Sequence, residues 1–377
     1  MTWARKASGV AVLLGALIAA IWILQDAIPH SVSIEEAPPP IRSRLTQKDH
    51  LADEQAATTA AAHRRILDDW AELMRWLRSV PPPSAEEIRD RLLATRLAWT
   101  ALDLHVRADA IKDLLETGED ASTGLDFKVG NHGQLASWPT LRVFLLDVLA
   151  TSDPEMAAAT ANELLDKTTS PDEFATALRS LTRPGLGRAD DRELLARFGQ
   201  MLGHPEWQRS RGFAEAFDLA RLIGTSDAAR QLANWQGNHS LKSMAMDEFA
   251  AEHPEAMLEI LDSNSTVDGL SRASLMARAK PENPRQLAAV DDYLRDPHRS
   301  QEEATAFLKT FPLRSATTGF RLYGRTPAPY DFEQIKSGDR AAKEQVDTWI
   351  ADPALAKYQP DLIDLQRRLA KWIEQAK

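Results

Sequence analysis

The chain has 377 residues, 44% of them hydrophobic and 27% charged, with a net charge of −10 and no cysteine. This is the composition of an ordinary folded protein, large enough for two compact domains or one extended repeat array. The negative balance, with no compensating basic block, argues against a general nucleic-acid role. Zero cysteine excludes disulfides, thiol catalysis and cysteine-ligated zinc or iron–sulfur centres.

The first element is Ala7 to Leu24, an uncharged run of 18 residues. As a helix it spans roughly 27 Å, close to the ~30 Å hydrocarbon core of a bilayer. Arg5 and Lys6 precede it, and Asp26, Glu35 and Glu36 follow it. The expectation is a single-pass transmembrane helix over 7–24 in the plasma (inner) membrane. Residues 1–6 then form a cytoplasmic tail, and the bulk of the chain is periplasmic or otherwise extracytoplasmic. The alternatives are a cleaved signal peptide, for which the stretch Gln25-Asp26-Ala27-Ile28-Pro29 offers no small-x-small site, and a buried helix. Residues 25–47 carry Pro29 and Pro38-Pro39-Pro40 among polar residues and read as a Pro-rich tether.

From Lys48 onward the pattern is helical, and the fold class expected for 48–377 is all-α. Ile66, Trp70, Leu73, Leu77 and Val80 form one stripe at helical spacing, ended by Pro81-Pro82-Pro83. That stripe reads as core, with oligomerisation through helix 48–80 left open. Ser84-Ala85-Glu86-Glu87 is a capping-box sequence, and Ile88, Leu92, Trp99, Leu102 and Val106 continue one face towards Gly118. Later helices announce themselves with proline at the first turn: Asp153-Pro154, Ser170-Pro171, His204-Pro205, His253-Pro254, Asp296-Pro297 and Asp352-Pro353. Ser300-Gln301-Glu302-Glu303 is a second capping box, and Asp268-Gly269 opens a helix rather than a hairpin. No convincing alternating strand appears. From Pro154 on, these starts recur at intervals of roughly 50 residues, room for two helices each, which predicts an α-solenoid-like array of helical hairpins.

The residues that carry a resemblance are Val106-Arg107-Ala108-Asp109-Ala110-Ile111-Lys112-Asp113-Leu114-Leu115 with Gly118-Glu119-Asp120, and Leu141-Arg142 through Asp147 to Asp153-Pro154-Glu155 and Leu164-Leu165. Their pattern is similar to degenerate HEAT-like or TPR-like repeats over about residues 84–260. The resemblance implies a stack of helical hairpins that acts as a protein-binding scaffold.

No chemistry-bearing motif emerges. None of the nine histidines stands in His-Glu-x-x-His; no glycine-rich phosphate loop and no Gly-x-Ser-x-Gly elbow is present. Neither a catalytic residue nor a metal site nor a cofactor is therefore assigned. His132 and His239, each after Gly-Asn, read as solvated turn residues. The acidic pairs Asp68-Asp69, Glu86-Glu87, Asp190-Asp191, Asp291-Asp292 and Glu302-Glu303 read as solvated or capping groups, and Trp70, Trp76 and Trp99 as core. Two irregular stretches, Gly118 to Trp138 and Arg314 to Asp331, supply the binding candidates Asn131, His132, Arg321, Tyr323 and Arg325. The leading expectation is an anchored extracytoplasmic scaffold that binds another protein. The alternative is a helical carbohydrate-active hydrolase or lyase on an envelope polymer, which would need two carboxylates across a cleft.

Overall fold

A computed structural model describes residues 41–182, 189–261, 267–313, 319–323 and 331–375. The expected transmembrane span, 7–24, lies outside these residues. Among the described residues, no helix is long and apolar enough to cross a membrane. The chain divides into two compact units, Met1–Ala57 and Thr58–Lys377. In the first unit the described residues are helical, the opening part of α1 (Ile41–Leu77). That helix starts directly after Pro38-Pro39-Pro40, so residues 41–47 of the predicted tether are helical. Prolines are tolerated ahead of a helix, and Arg, Leu, Gln and Lys in this stretch are good helix formers.

Among its described residues the second unit is all-α apart from one small hairpin and an isolated bridge between Ser122 and Thr140. In α1, Ile66, Trp70 and Leu73 are buried, and Asp69 accepts the Trp99 indole N–H at 2.9 Å. The predicted stripe is thus consumed inside the chain's own core. Val80 does not belong to it: the residue lies past the end of α1 and is 94% exposed. The capping box at Ser84 forms as its sequence requires. Ser84 Oγ accepts from Glu87 N, and Glu87 returns a carboxylate to the Ser84 N–H at 2.8 Å, opening α2 (Ala85–Thr100). The face predicted to run on through Leu102 to Val106 breaks here. Asp103 accepts from the N–H groups of His105 and Val106 and so starts a separate helix, α3 (Leu104–Glu116).

Residues 117–140 hold the hairpin that sequence reasoning missed. Strand β1 (Lys128–Val129) pairs antiparallel with β2 (Leu135–Ser137) around a 3-10 turn at Asn131–Gly133. Two strands of two and three residues are too short to show alternation. The helices then follow as α4 (Leu141–Ser152), α5 (Pro154–Leu165), α6 (Pro171–Thr182), α7 (Asp191–Leu202), α8 (Arg211–Glu215), α9 (Asp218–Ile223), α10 (Ser226–Asn234), α11 (His239–Glu252) and α12 (Pro254–Glu259). The remainder are α13 (Gly269–Met276), α14 (Pro284–Arg295), α15 (Gln301–Thr310), α16 (Phe332–Ala351) and α17 (Gln359–Gln375).

Not every proline start is an α-helix. Pro205 and Pro353 open 3-10 segments. Asp296-Pro297 forms only a turn, closed by Arg299 N to Asp296 O, and α15 begins later behind Ser300. The Ser300 capping box is half made: Ser300 Oγ accepts from Glu303 N at 3.1 Å, but the Glu303 carboxylate is drawn inward to arginines and a tyrosine instead of returning to the cap.

Packing follows a regular rule along much of the unit. Neighbours in sequence touch (α4 with α5, α5 with α6, α9 with α10, α10 with α11, α16 with α17). So do helices two apart: α4 with α6, α6 with α8, α7 with α9, α9 with α11, α10 with α12, α12 with α14, α13 with α15 and α15 with α17. One continuous apolar core runs from Ile66 to Leu369.

Candidate functional site

Two buried clusters of opposite charge hold the irregular segments against the helices. The first centres on Asp147, a fully buried residue of α4. Its carboxylate accepts from Arg96 Nη1 of α2 at 2.9 Å, from the Trp138 indole N–H at 3.0 Å, from the Leu135 N–H at 3.3 Å and from Arg179 of α6. Arg179 also donates to the carbonyl of Gly133. The hairpin is thereby fixed by its backbone, from Gly133 and Leu135, to helices on either side. Asn131 and His132 cap the hairpin's outer end and are exposed. His132 has φ 54°, a left-handed conformation that is uncommon outside glycine, although asparagine, aspartate and histidine adopt it more readily than other residues.

The second cluster lies on α8, α9 and α11. Glu215 (the last residue of α8), Asp218 (the first of α9) and Glu248 (on α11) are all buried. Each accepts one backbone N–H from the segment 319–323, far away in sequence. Phe320 N donates to Glu248 Oε1 at 2.9 Å, Arg321 N to Glu215 Oε2 at 3.1 Å and Tyr323 N to Asp218 Oδ2 at 3.3 Å. The three carboxylates form a tray on which an extended segment lies by its main chain. Phe320 enters an aromatic group with Phe217 at 6.3 Å between ring centroids, itself packed on Trp235 at 4.9 Å. Leu322 and Tyr323 are buried and Arg321 is exposed. Gly319 makes a close approach: a Cβ there would stand 2.0 Å from Glu248 Oε1, so the carboxylate would have to move off the Phe320 N–H it accepts.

Electrostatically the tray is over-supplied with acid. Arg221 pairs with Asp218 and Glu252 and stands 3.9 Å from Glu248, while Arg211 pairs with Glu215. Burial and then the neighbouring Asp218 charge push the Glu248 carboxyl up to about 7, although the Phe320 N–H and Arg221 oppose them. Burial likewise raises Asp218, against Arg221. Tyr323 is raised well above the ordinary tyrosine range by burial and then by Asp218, with Arg179 opposing. Two polar atoms at this site are buried without a hydrogen-bond partner, Glu248 Oε2 and the Tyr323 hydroxyl.

Arg179 thus acts on both irregular segments: it bonds the hairpin at Gly133, and its charge reaches Tyr323. Of the five predicted binding residues, Asn131 and His132 stay together on the surface, Arg321 and Tyr323 lie on the tray segment, and Arg325 falls outside the described residues. Sequence reasoning did not single out Asp147, Arg179, Glu215, Asp218 or Glu248. The signal it could have used is a charged residue on an otherwise apolar helical face: Asp147 follows Leu145-Leu146, and Asp218 sits between Phe217 and Leu219.

The acidic pairs read as solvated prove to be divided. Asp69 bonds the Trp99 indole, and Asp291 accepts the Trp349 indole N–H at 2.6 Å. Glu303 is a buried hub for Arg272, Arg299 and the Tyr293 hydroxyl. A cleft between α11 and α13 holds Lys242 and Arg278. Arg278 is already committed to Asp247, Ser243 and Ser274, and two Lys242 N–H groups go to the carbonyls of Ala233 and Trp235. Among the described residues no group of three or more acidic, histidine or cysteine side chains is placed to hold a metal ion. No family model, curated protein or solved structure matches this chain.

Proposed function

We propose that this chain is a membrane-anchored, extracytoplasmic scaffold, built as an α-solenoid-like array of helical hairpins, that binds another protein. The uncharged run 7–24 behind Arg5-Lys6 motivates the anchor. The packing of each helix on its neighbour and on the helix two places along supports the array, since stacked hairpins make contacts of that kind. One observation carries the binding role. Three carboxylates on three helices take the backbone N–H groups of an extended segment, and hydrogen bonds to the main chain are one general source of affinity for an extended peptide.

Crosslinking of the full-length chain in its membrane, with the crosslinked positions mapped, tests this reading. The expected result is a discrete partner attached within 58–377. Failure to find any crosslink above a non-anchored control overturns it.

A carbohydrate-active hydrolase or lyase is the second reading, and Glu248 favours it: a carboxyl pushed up to about 7 by burial and by the neighbouring Asp218 has the character of a general acid. Against it, the N–H groups of Phe320 and Tyr323 already occupy those carboxylates. Release of soluble fragments from an envelope glycan, abolished by Glu248→Gln, would establish this reading in place of the first.

A further inference from the structure

The segment 319–323 is held as a ligand is held. Its bonds to the helices run from main-chain N–H groups to side-chain carboxylates across sequence separations of 72 to 106 residues. Such contacts ask little of the bound sequence beyond donors at the right spacing and side chains that fit. The side-chain requirements are also readable. A glycine facing Glu248 keeps the carboxylate where it is, because a Cβ would stand 2.0 Å from its Oε1 and push it off the following N–H. An aromatic ring next to it enters the group around Phe217 and Trp235, and the residue after that faces solvent, as Arg321 does.

The fit of the chain's own segment is incomplete. Glu248 Oε2 is buried on the tray without a hydrogen bond, with Arg221 Nε 3.9 Å away, and the Tyr323 hydroxyl is buried on the segment without a hydrogen bond. A buried polar atom without a partner weakens the complex it belongs to. An occupant that lacks the tyrosine hydroxyl would avoid one of those losses.

We propose that the tray formed by Glu215, Asp218 and Glu248 is a docking site for an extended segment of a partner protein, with residues 319–323 as its internal stand-in. The partner segment carries a glycine, an aromatic residue directly after it and a second aromatic residue three positions further on. The proposal rests on the protein-binding reading above and names the site and chemistry of that binding. Exchange between the two occupants breaks the three N–H donations and withdraws Phe320, Leu322 and Tyr323 from the core, so the incoming segment must refill those apolar positions with side chains of its own.

The test uses the full-length chain and a fluorescently labelled, end-capped peptide, Gly-Phe-Arg-Leu-Tyr. In the Gly319→Val chain, where the internal segment is expelled from Glu248, the peptide should bind saturably and at least tenfold more tightly than to the parent chain. Adding Glu215→Ala, which removes the acceptor of the third residue's N–H, should weaken that binding about tenfold. The peptide Gly-Phe-Arg-Leu-Phe should bind more tightly than the tyrosine form. Absence of saturable binding to folded Gly319→Val, or binding indifferent to Glu215→Ala, overturns the proposal. If Gly319→Val does not fold, hydrogen exchange of the parent chain decides. Amides 320, 321 and 323 should exchange ahead of α8 to α11 and faster with excess peptide; exchange only together with those helices overturns the proposal. A mapped partner crosslink elsewhere on 58–377, with no peptide binding, would remove the tray and leave the scaffold. Peptide binding with no partner crosslinked would do the reverse.

Discussion

At the residue scale, a few buried carboxylates each satisfy several donors. Asp147 is fully buried and receives Arg96, Arg179, the Trp138 indole and the Leu135 N–H. Truncating one member of a buried ion pair leaves the others uncompensated, at a cost of about 3–5 kcal/mol. Asp147→Ala should therefore lower the denaturation midpoint sharply, while Glu87→Ala at the exposed capping box should lower it far less. Denaturant titration of the two variants side by side checks the contrast. Glu248 behaves differently, because its carboxyl is raised from 4.5 to about 7. The folded state then binds more protons than the unfolded state between those values, so this group's contribution is complete below about pH 4.5 and is lost as pH rises through 7. The groups facing it are Asp218, Glu215 and Arg221 from α8 and α9 and the Phe320 N–H from the segment. Glu248→Gln keeps an acceptor for that N–H and removes the charge. It should stabilise the protein relative to the parent at pH 8 and not at pH 4, as read from melting temperatures at both values.

At the element scale, the hairpin and the start of α15 show what local sequence does and does not specify. His132 sits at φ 54° at the tip of the hairpin. Glycine adopts that conformation without strain and a β-branched residue does not, so His132→Gly should be neutral to slightly stabilising. His132→Val should cost about 1–2 kcal/mol. Thermal melts of both variants decide whether the tip is strained. The same hairpin was not legible beforehand, because its pairing is supported from outside by Arg179 on Gly133 and Asp147 on Leu135, which no window of sequence contains. Caps, by contrast, are local devices. Asp153 accepts from Met156 N and Asp268 from Ser271 N, as their sequences require. Ser300 fails as a reciprocal box for a tertiary reason. Glu303, which should reach back, is bonded to Arg272, Arg299 and Tyr293. Asp296-Pro297 makes a turn for a related reason: Asp296 accepts from Arg299, whose other nitrogens reach Glu303 and the Tyr293 carbonyl.

At the scale of the whole unit, the helical class follows from alanine and leucine content, capping residues and 3.6-residue stripes, all of which act over one or two turns. The tray does not follow from them, because its carboxylates and its occupant are about a hundred residues apart for two of its three bonds, and nothing in either stretch names the other. The packing rule has a mechanical consequence. Where each helix touches mainly its neighbours one and two places along, as α4 to α8 and α13 to α17 do, a local defect should loosen nearby helices without unfolding distant ones. Phe174 on α6 is the sharpest probe: it is buried and meets Trp207 at 5.2 Å between ring centroids, so Phe174→Ala opens a cavity between α6 and the segment before α8. Its local cost is about 3–5 kcal/mol. Amide exchange should then quicken across α4 to α8, while α16 and α17, which pack on each other, and α15, which packs on α17, keep their protection. Equal acceleration at both ends would show one all-or-none cooperative unit, and the stacked-array reading would fail with it.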